Sequence, residues 1–241
     1  MELTPLETLQ GILTLIFVVI SLILGLSIIS KYINQRNKLF ILVGTTWICL
    51  VSPYWPDAIS IVTILLFNFQ LDESLYFFLA MAFIPVVHIT WIWALKDLIF
   101  KKKGKYLLAF FSAEAIIYEF LFLYLLFTDI SSIGTRVAPF DVDWSNFVII
   151  YLIFSIIAFT ITGLLFAHES LRSEIKEIRL KGFFLLTAFI SFAIGTFFEA
   201  IAVMNPAVLV IIRLIVLFAA FEFYIGFTMP KIIKDLILKT Q

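Results

Sequence analysis

Few side chains in this sequence can do chemistry, and most of those lie inside long apolar runs: His88, Glu114, Glu119, Glu199, Glu222 and Arg213. An ionisable group at membrane depth is costly, faces protein or trapped water, and defaults to a functional role with a named partner. Glu199 and Arg213 flank Met204-Asn205-Pro206-Ala207, the joint between two such runs. At the α-helical rise per residue, both lie about 7–10 Å below one membrane face. They are expected to form an interhelical ion pair, either locking two helices or recognising a polar ligand. His88 and Glu119 are expected near the middle of the membrane. Glu114 and Glu222 fall in the inner half, where Lys96 can reach upward. Arg213 and His88 cannot neutralise all these glutamates, so some acids must be protonated, hydrated, or bound to a cation or a ligand amine. Histidine ordinarily changes charge near neutrality, so His88 is either an interhelical hydrogen-bonding residue or a pH-responsive one. Pro53, Pro56 and Pro85 each remove a backbone donor and free a carbonyl. With Trp55, Trp91, Trp93 and Tyr118 as aromatic walls, they mark either ordinary kinks or a pocket within the bundle. The ligand- or ion-binding candidates are therefore His88, Glu114, Glu119, Tyr118, Trp91 and Glu222.

The elements that position these residues follow from composition. The chain is 63% hydrophobic and only 14% charged, with a mean hydropathy of +1.11. A soluble chain carries about 25% charged residues. Apolar runs long enough to span a bilayer recur throughout, which predicts an all-α integral membrane protein. Seven spans are expected, as one seven-helix domain over residues 1–241. The first runs from Thr8 to Ser30. The second begins near Leu39, breaks at Ser52-Pro53-Tyr54-Trp55-Pro56-Asp57 and resumes to Phe69. The third covers Leu75 to Phe100, the fourth Tyr106 to Thr128 and the fifth Asn146 to Ala167. The sixth and seventh lie between Lys181 and Pro230. Outside the spans, 138–144 alternates apolar and acidic residues and reads as a short strand, an interfacial lid or an aromatic anchor. The 168–182 connector carries a Leu171, Ile175, Ile178 stripe and a Glu177–Lys181 pair at helical spacing. It is a solvated connector or a docking site for a cytoplasmic or membrane protein partner.

Basic residues set the orientation. Placing the 31–38 turn, Lys96, the 101–105 turn, the 168–182 connector and the tail on one side gathers 15 of the 17 lysines and arginines there. Glu2, Glu7, Asp57, Asp72, Glu73, Asp129, Asp141 and Asp143 fall at the other face. The N-terminus is thus expected outside and the C-terminus in the cytoplasm, in a multi-pass cell-membrane protein. A double crossing within 39–69 would reverse the 101–105 turn, so that region is expected to cross once. The acidic start argues against a cleaved signal peptide.

The inventory excludes several classes. Net charge is zero, which leaves no nucleic-acid footprint. The last span has no lysine for a retinal Schiff base, and two histidines are too few for a zinc hydrolase. There is no Pro-Gln dipeptide, phosphate loop or nucleophile elbow. No enzymatic activity, cofactor or metal is expected, and Cys49 reads as a packing residue. Glu177-Ile178-Arg179-Leu180-Lys181-Gly182 entering the sixth span and Gly226-Phe227-Thr228-Met229-Pro230 leaving the seventh resemble prokaryotic seven-transmembrane sensor-like modules, as in the membrane regions that precede histidine kinases. The resemblance implies a receptor-like or sensory protein that binds a small ligand or responds to pH and signals through its cytoplasmic loops. With no output domain before Gln241, a separate partner is expected to carry the signal. A proton- or cation-coupled transporter or channel using the buried glutamates is the alternative, and a structural subunit of a membrane complex is a second. Beyond the lipid bilayer, the sequence names no ligand or partner.

Overall fold

The computed structural model describes residues 3–201 and 205–238, with the side chains of 200, 201 and 238 excepted. Glu2, Met204 of the predicted joint and Lys239 of the basic tail lie outside the described residues. The chain is a bundle of helices: α1 (Pro5–Gln35), α2 (Leu39–Leu50), α3 (Trp55–Phe67), α4 (Glu73–Met81), α5 (Ile84–Leu95), α6 (Gly104–Thr128), α7 (Asn146–Leu171), α8 (Lys176–Ile201), α9 (Pro206–Thr228) and α10 (Lys231–Leu238). Among the described residues, six helical stretches are long and apolar enough to cross a membrane. The protein is therefore a multi-pass membrane protein of all-α architecture. The longest stretch, Glu73–Thr128, folds back on itself. A π-turn at Lys96–Phe100 and a tight turn at Lys101–Lys103 reverse the chain, so α5 and α6 pack side by side.

Local sequence explains the breaks and ends. Thr4 caps α1 in a capping box with Glu7, and Asp72 caps α4 through the Leu75 amide. Pro53 starts the short 3₁₀ turn Ser52–Tyr54, while Pro56 and Pro85 sit in the first turns of α3 and α5. A first-turn proline forfeits no helix hydrogen bond. Each of the three prolines thus begins a helical segment rather than kinking one mid-course. Asn205 caps α9 by accepting from the amides of Ala207 and Val208, which makes the tight joint before α9 workable.

The core is aromatic. Trp47 and Trp91 are both almost fully buried, packed with Phe159, Phe189, Phe192, Phe223 and Phe227. α1 and α2 cross closely at Gly25 and Gly44. A Cβ on Gly44 would sit 2.7 Å from the Gly25 carbonyl oxygen, so the approach needs small residues. The lipid-facing surface is equally plain: Ile116, Ile117, Phe120, Tyr124 and Phe127 of α6 are exposed.

The 134–144 segment is a β-hairpin, β1 (Gly134–Ala138) antiparallel to β2 (Asp141–Trp144), with a bulge after Arg136. Phe140 at its tip is buried against Ile61 and Ile64, and Trp144 packs on Phe77. Gln10 of α1 donates to the Phe140 carbonyl at 2.9 Å. Of the sequence alternatives for this loop, the strand is the one observed, and its tip is anchored in the bundle.

Candidate functional site

The ionisable residues of the bundle gather into two clusters. The first joins α3, α4, α8 and α9 to the hairpin. Arg213 donates from Nη2 to Glu199 Oε1 at 2.8 Å, so the predicted pair is present as geometry. Tyr54, which the sequence did not single out, donates to the other carboxylate oxygen at 2.7 Å. Its ring also lies beneath the Arg213 guanidinium, 4.8 Å away. One turn later stands Asp57. The sequence placed it among the acids of the outer face; the structure buries it, with the Tyr76 hydroxyl donating to Oδ1. Asp57 also lies within electrostatic reach of Arg213, Glu199 and Arg136. Arg136 of β1 completes the chain, with its guanidinium 4.3 Å from the Tyr76 ring centroid. Arg136 also donates to the carbonyls of Leu71 and Pro139, and its backbone amide donates to Glu73. Its burial is half complete, and that desolvation pulls its pKa below the ordinary arginine value. The prolines explain why Tyr54 and Asp57 are not legible as members of this cluster: they bring both inward on separate helical segments.

The second cluster lies between α5, α6 and α7. His88 Nδ1 meets Glu114 Oε2 at 2.7 Å, and the Tyr151 hydroxyl approaches the same nitrogen at 3.5 Å. Tyr118 stacks on Tyr151 with ring planes within 6°. Glu119 lies within electrostatic reach of both tyrosines. The sequence expected Glu119, not Glu114, opposite His88. The reversal between the helices is centred at Lys101, whose φ is 42°, rather than in the middle of the 101–105 turn. A two-residue shift at a turn moves the facing partner about four residues, one helical turn.

Both clusters are incompletely satisfied: in the first, Arg213 Nε and Nη1 and Arg136 Nε are buried without partners among the described residues, and the second is open as well. His88 Nε2, Glu114 Oε1, the Tyr118 hydroxyl and Glu119 Oε2 are buried and lack hydrogen-bond partners among the described residues. Buried polar atoms are normally paired, so each unpaired one calls for a cause. Val87, His88, Trp91, Phe111 and Phe159 line a small, almost wholly apolar pocket. Chemically, a carboxylate on Nδ1 fixes the histidine tautomer or holds its proton. Nε2 is left without a partner among the described residues.

The remaining candidates fall elsewhere. Trp91 is a core residue that donates from Nε1 to Thr162 Oγ1 at 2.8 Å and so ties α5 to α7. Trp55 packs on Phe83, whereas Trp93 is half exposed. Glu222 is half-buried on α9, its Oε2 unpartnered, and no hydrogen bond or ion pair joins it to either cluster among the described residues. Lys96 pairs with its neighbour Asp97 at 3.9 Å and does not reach Glu114. No group of three or more potential metal ligands occurs among the described residues. No family model, curated protein or solved structure matches the chain.

Proposed function

We propose that the chain crosses the cell membrane seven times, N-terminus outside and C-terminus cytoplasmic, and works as a receptor-like sensor. Counting α2–α3 as one crossing, and α4–α5 and α6 as one each, gives seven. That count keeps every basic turn on one side, as charge asymmetry favours. The sensing site is His88 with Glu114, facing Tyr151, Tyr118 and Glu119. The observation that carries the reading is the unpartnered His88 Nε2, on a side chain only 3% exposed, beside a small pocket. A proton or a small hydrogen-bonding ligand arriving there changes how α5, α6 and α7 hold one another. α7 supplies both Tyr151 and Thr162, and its C-terminal end opens directly into the 172–175 connector. A shift of α7 thereby reaches the cytoplasmic face, where a separate protein reads it.

A proton or cation path would need Glu114, Glu119 and Glu222 along one hydrated cavity, and Glu222 stands apart from the other two. The test is a pair of measurements on purified protein in liposomes. A spin label in the connector should change mobility as pH is stepped through the neutral range, with no proton or cation flux under an imposed gradient. His88→Gln should abolish the response. Flux that Glu119→Gln abolishes would replace this reading with a transporter. A connector that never moves would remove the sensor.

A further inference from the structure

α10 offers a surface that neither cluster uses. α9 ends at Thr228, Met229 turns the chain with φ at 41°, and Pro230 prevents the helix from continuing. α10 then lies against the start of α8 instead of prolonging α9. Its Ile232 and Leu236, one turn apart, are 80% and 69% exposed. Two large aliphatic side chains bared on a helix three residues past a spanning segment are costly in water. At the membrane–water boundary they are not, because an amphipathic helix there buries its apolar face among the acyl chains. The charge around this stripe is lopsided. Lys176, Arg179, Lys181, Lys231 and Lys234 face only Glu174, Glu177 and Asp235 over 174–181 and 231–235. Glu177 is shared, taking Lys181 on one oxygen at 3.3 Å and Lys234 on the other at 2.5 Å. Lys231 is exposed beside the stripe, and the Lys234 side chain is 46% exposed.

We propose that α10 is an interfacial helix that binds anionic phospholipid, with Ile232 and Leu236 in the acyl region and Lys231 and Lys234 on headgroup phosphates. The choice of lipid over a protein partner rests on the charge complementarity and on continuity with the spanning surface. A basic side chain near an anionic leaflet gains from the surface potential, and that gain is screened by salt. Phosphate also competes with Glu177 for Lys234, so anionic lipid loosens α10 from the start of α8. This proposal stands independently of the His88 reading.

The test uses the full-length chain in vesicles of phosphatidylcholine with and without phosphatidylglycerol. Spin-labelled phosphatidylglycerol should be enriched over phosphatidylcholine at the protein surface by about fivefold, the worth of one lysine at the interface. Lys231→Gln with Lys234→Gln should reduce that enrichment to near parity. Without any substitution, high salt should do the same. A nitroxide at Leu236→Cys, in a Cys49→Ala background, should be accessible to lipid-soluble oxygen and shielded from water-soluble nickel. Equal association of the two lipids in the native chain would overturn the proposal. So would a nitroxide at 236 that water-soluble nickel reaches, or one that a second protein immobilises.

Discussion

Arg213 and His88 are both almost fully buried, at 4% and 3% exposure, yet their surroundings are built differently. Around Arg213, charge meets charge: Glu199 takes Nη2, Tyr54 lies beneath the guanidinium, and the chain of contacts runs through Asp57 and Tyr76 to Arg136. Its contacts join four helices and the hairpin, and a strand residue fastens its end. Around His88, one hydrogen bond to Glu114 is made and four polar atoms nearby stay open; Arg213 Nε and Nη1 and Arg136 Nε are also unpartnered among the described residues, so the two regions differ chiefly in how many elements each ties together. On the reading proposed above, deep burial has two uses here. A network that spans many elements holds the bundle in one arrangement. A polar site left partly open on three helices can change state without unfolding the rest, because local rearrangement needs a region of lower stability.

The largest expected effect comes from cutting the first network. Arg213→Ala leaves the partly buried Glu199 without its cation and should cost about 3 kcal/mol, the low end for a fully buried pair, since removing one partner strands the other charge. Thermal unfolding in detergent measures it. A paired Glu199→Gln, Arg213→Met change should recover most of that loss, and failure to recover would mean that Arg213 does more than neutralise Glu199.

A smaller loss is expected at the hairpin end. Arg136→Ala removes the donors to the Leu71 and Pro139 carbonyls. It should cost about 1–3 kcal/mol, the range for a charged hydrogen-bonding group. Hydrogen exchange at 134–144 should rise while that of α5 to α7 stays fixed. Faster exchange in α5 to α7 as well would dissolve the distinction between the two regions.

In the second region the expectation is inverted. Glu114→Gln keeps the shape and a hydrogen bond to His88, so stability should change by less than about 1 kcal/mol. The response of the connector to pH should nonetheless disappear. A large stability loss with the response intact would make His88–Glu114 structural too.

The smallest effect concerns the contact between α10 and the connector. Lys234 and Lys181 hold the Glu177 carboxyl below its ordinary 4.5, and Glu177 holds Lys234 above its ordinary 10.5. The depressed acid contributes fully above 4.5 and loses that contribution as pH falls through its folded value. The raised lysine contributes fully below 10.5 and loses it as pH rises through its folded value. In detergent free of anionic lipid, a label distance between α10 and the connector should stay constant between these limits and lengthen beyond either. Movement near neutrality would tie α10 to the His88 site.

Much of this organisation is legible in the sequence, for physical reasons. Apolar runs report spans because lipid leaves a helix no other way to satisfy its backbone. Glu199 and Arg213 are a readable pair because a short joint fixes their relative depth. His88 and Glu114 are not, because the reversal between α5 and α6 is centred at Lys101, which shifts the facing partner by about one turn. Tyr54, Tyr76 and Arg136 escaped notice because neutral tyrosines and a loop arginine carry no signal of burial. Their meeting depends on proline-started segments and on a hairpin folding back over α3 and α4. Asp57 gave one cue, an acid two residues into an apolar run, which also fits a plain helix cap.

On the reading proposed above, His88, held by Glu114, is the group whose state the connector reports. The chain has only two histidines, His88 and His168, so selective ¹⁵N labelling gives a spectrum that His168→Gln assigns outright. Solid-state NMR of the labelled protein in liposomes would be recorded alongside the mobility of a connector spin label. The His88 ring-nitrogen signals are expected to change over the same pH interval in which the connector moves, and Glu114→Gln is expected to remove both changes together. A connector that moves while the His88 signals stay unchanged would contradict this reading.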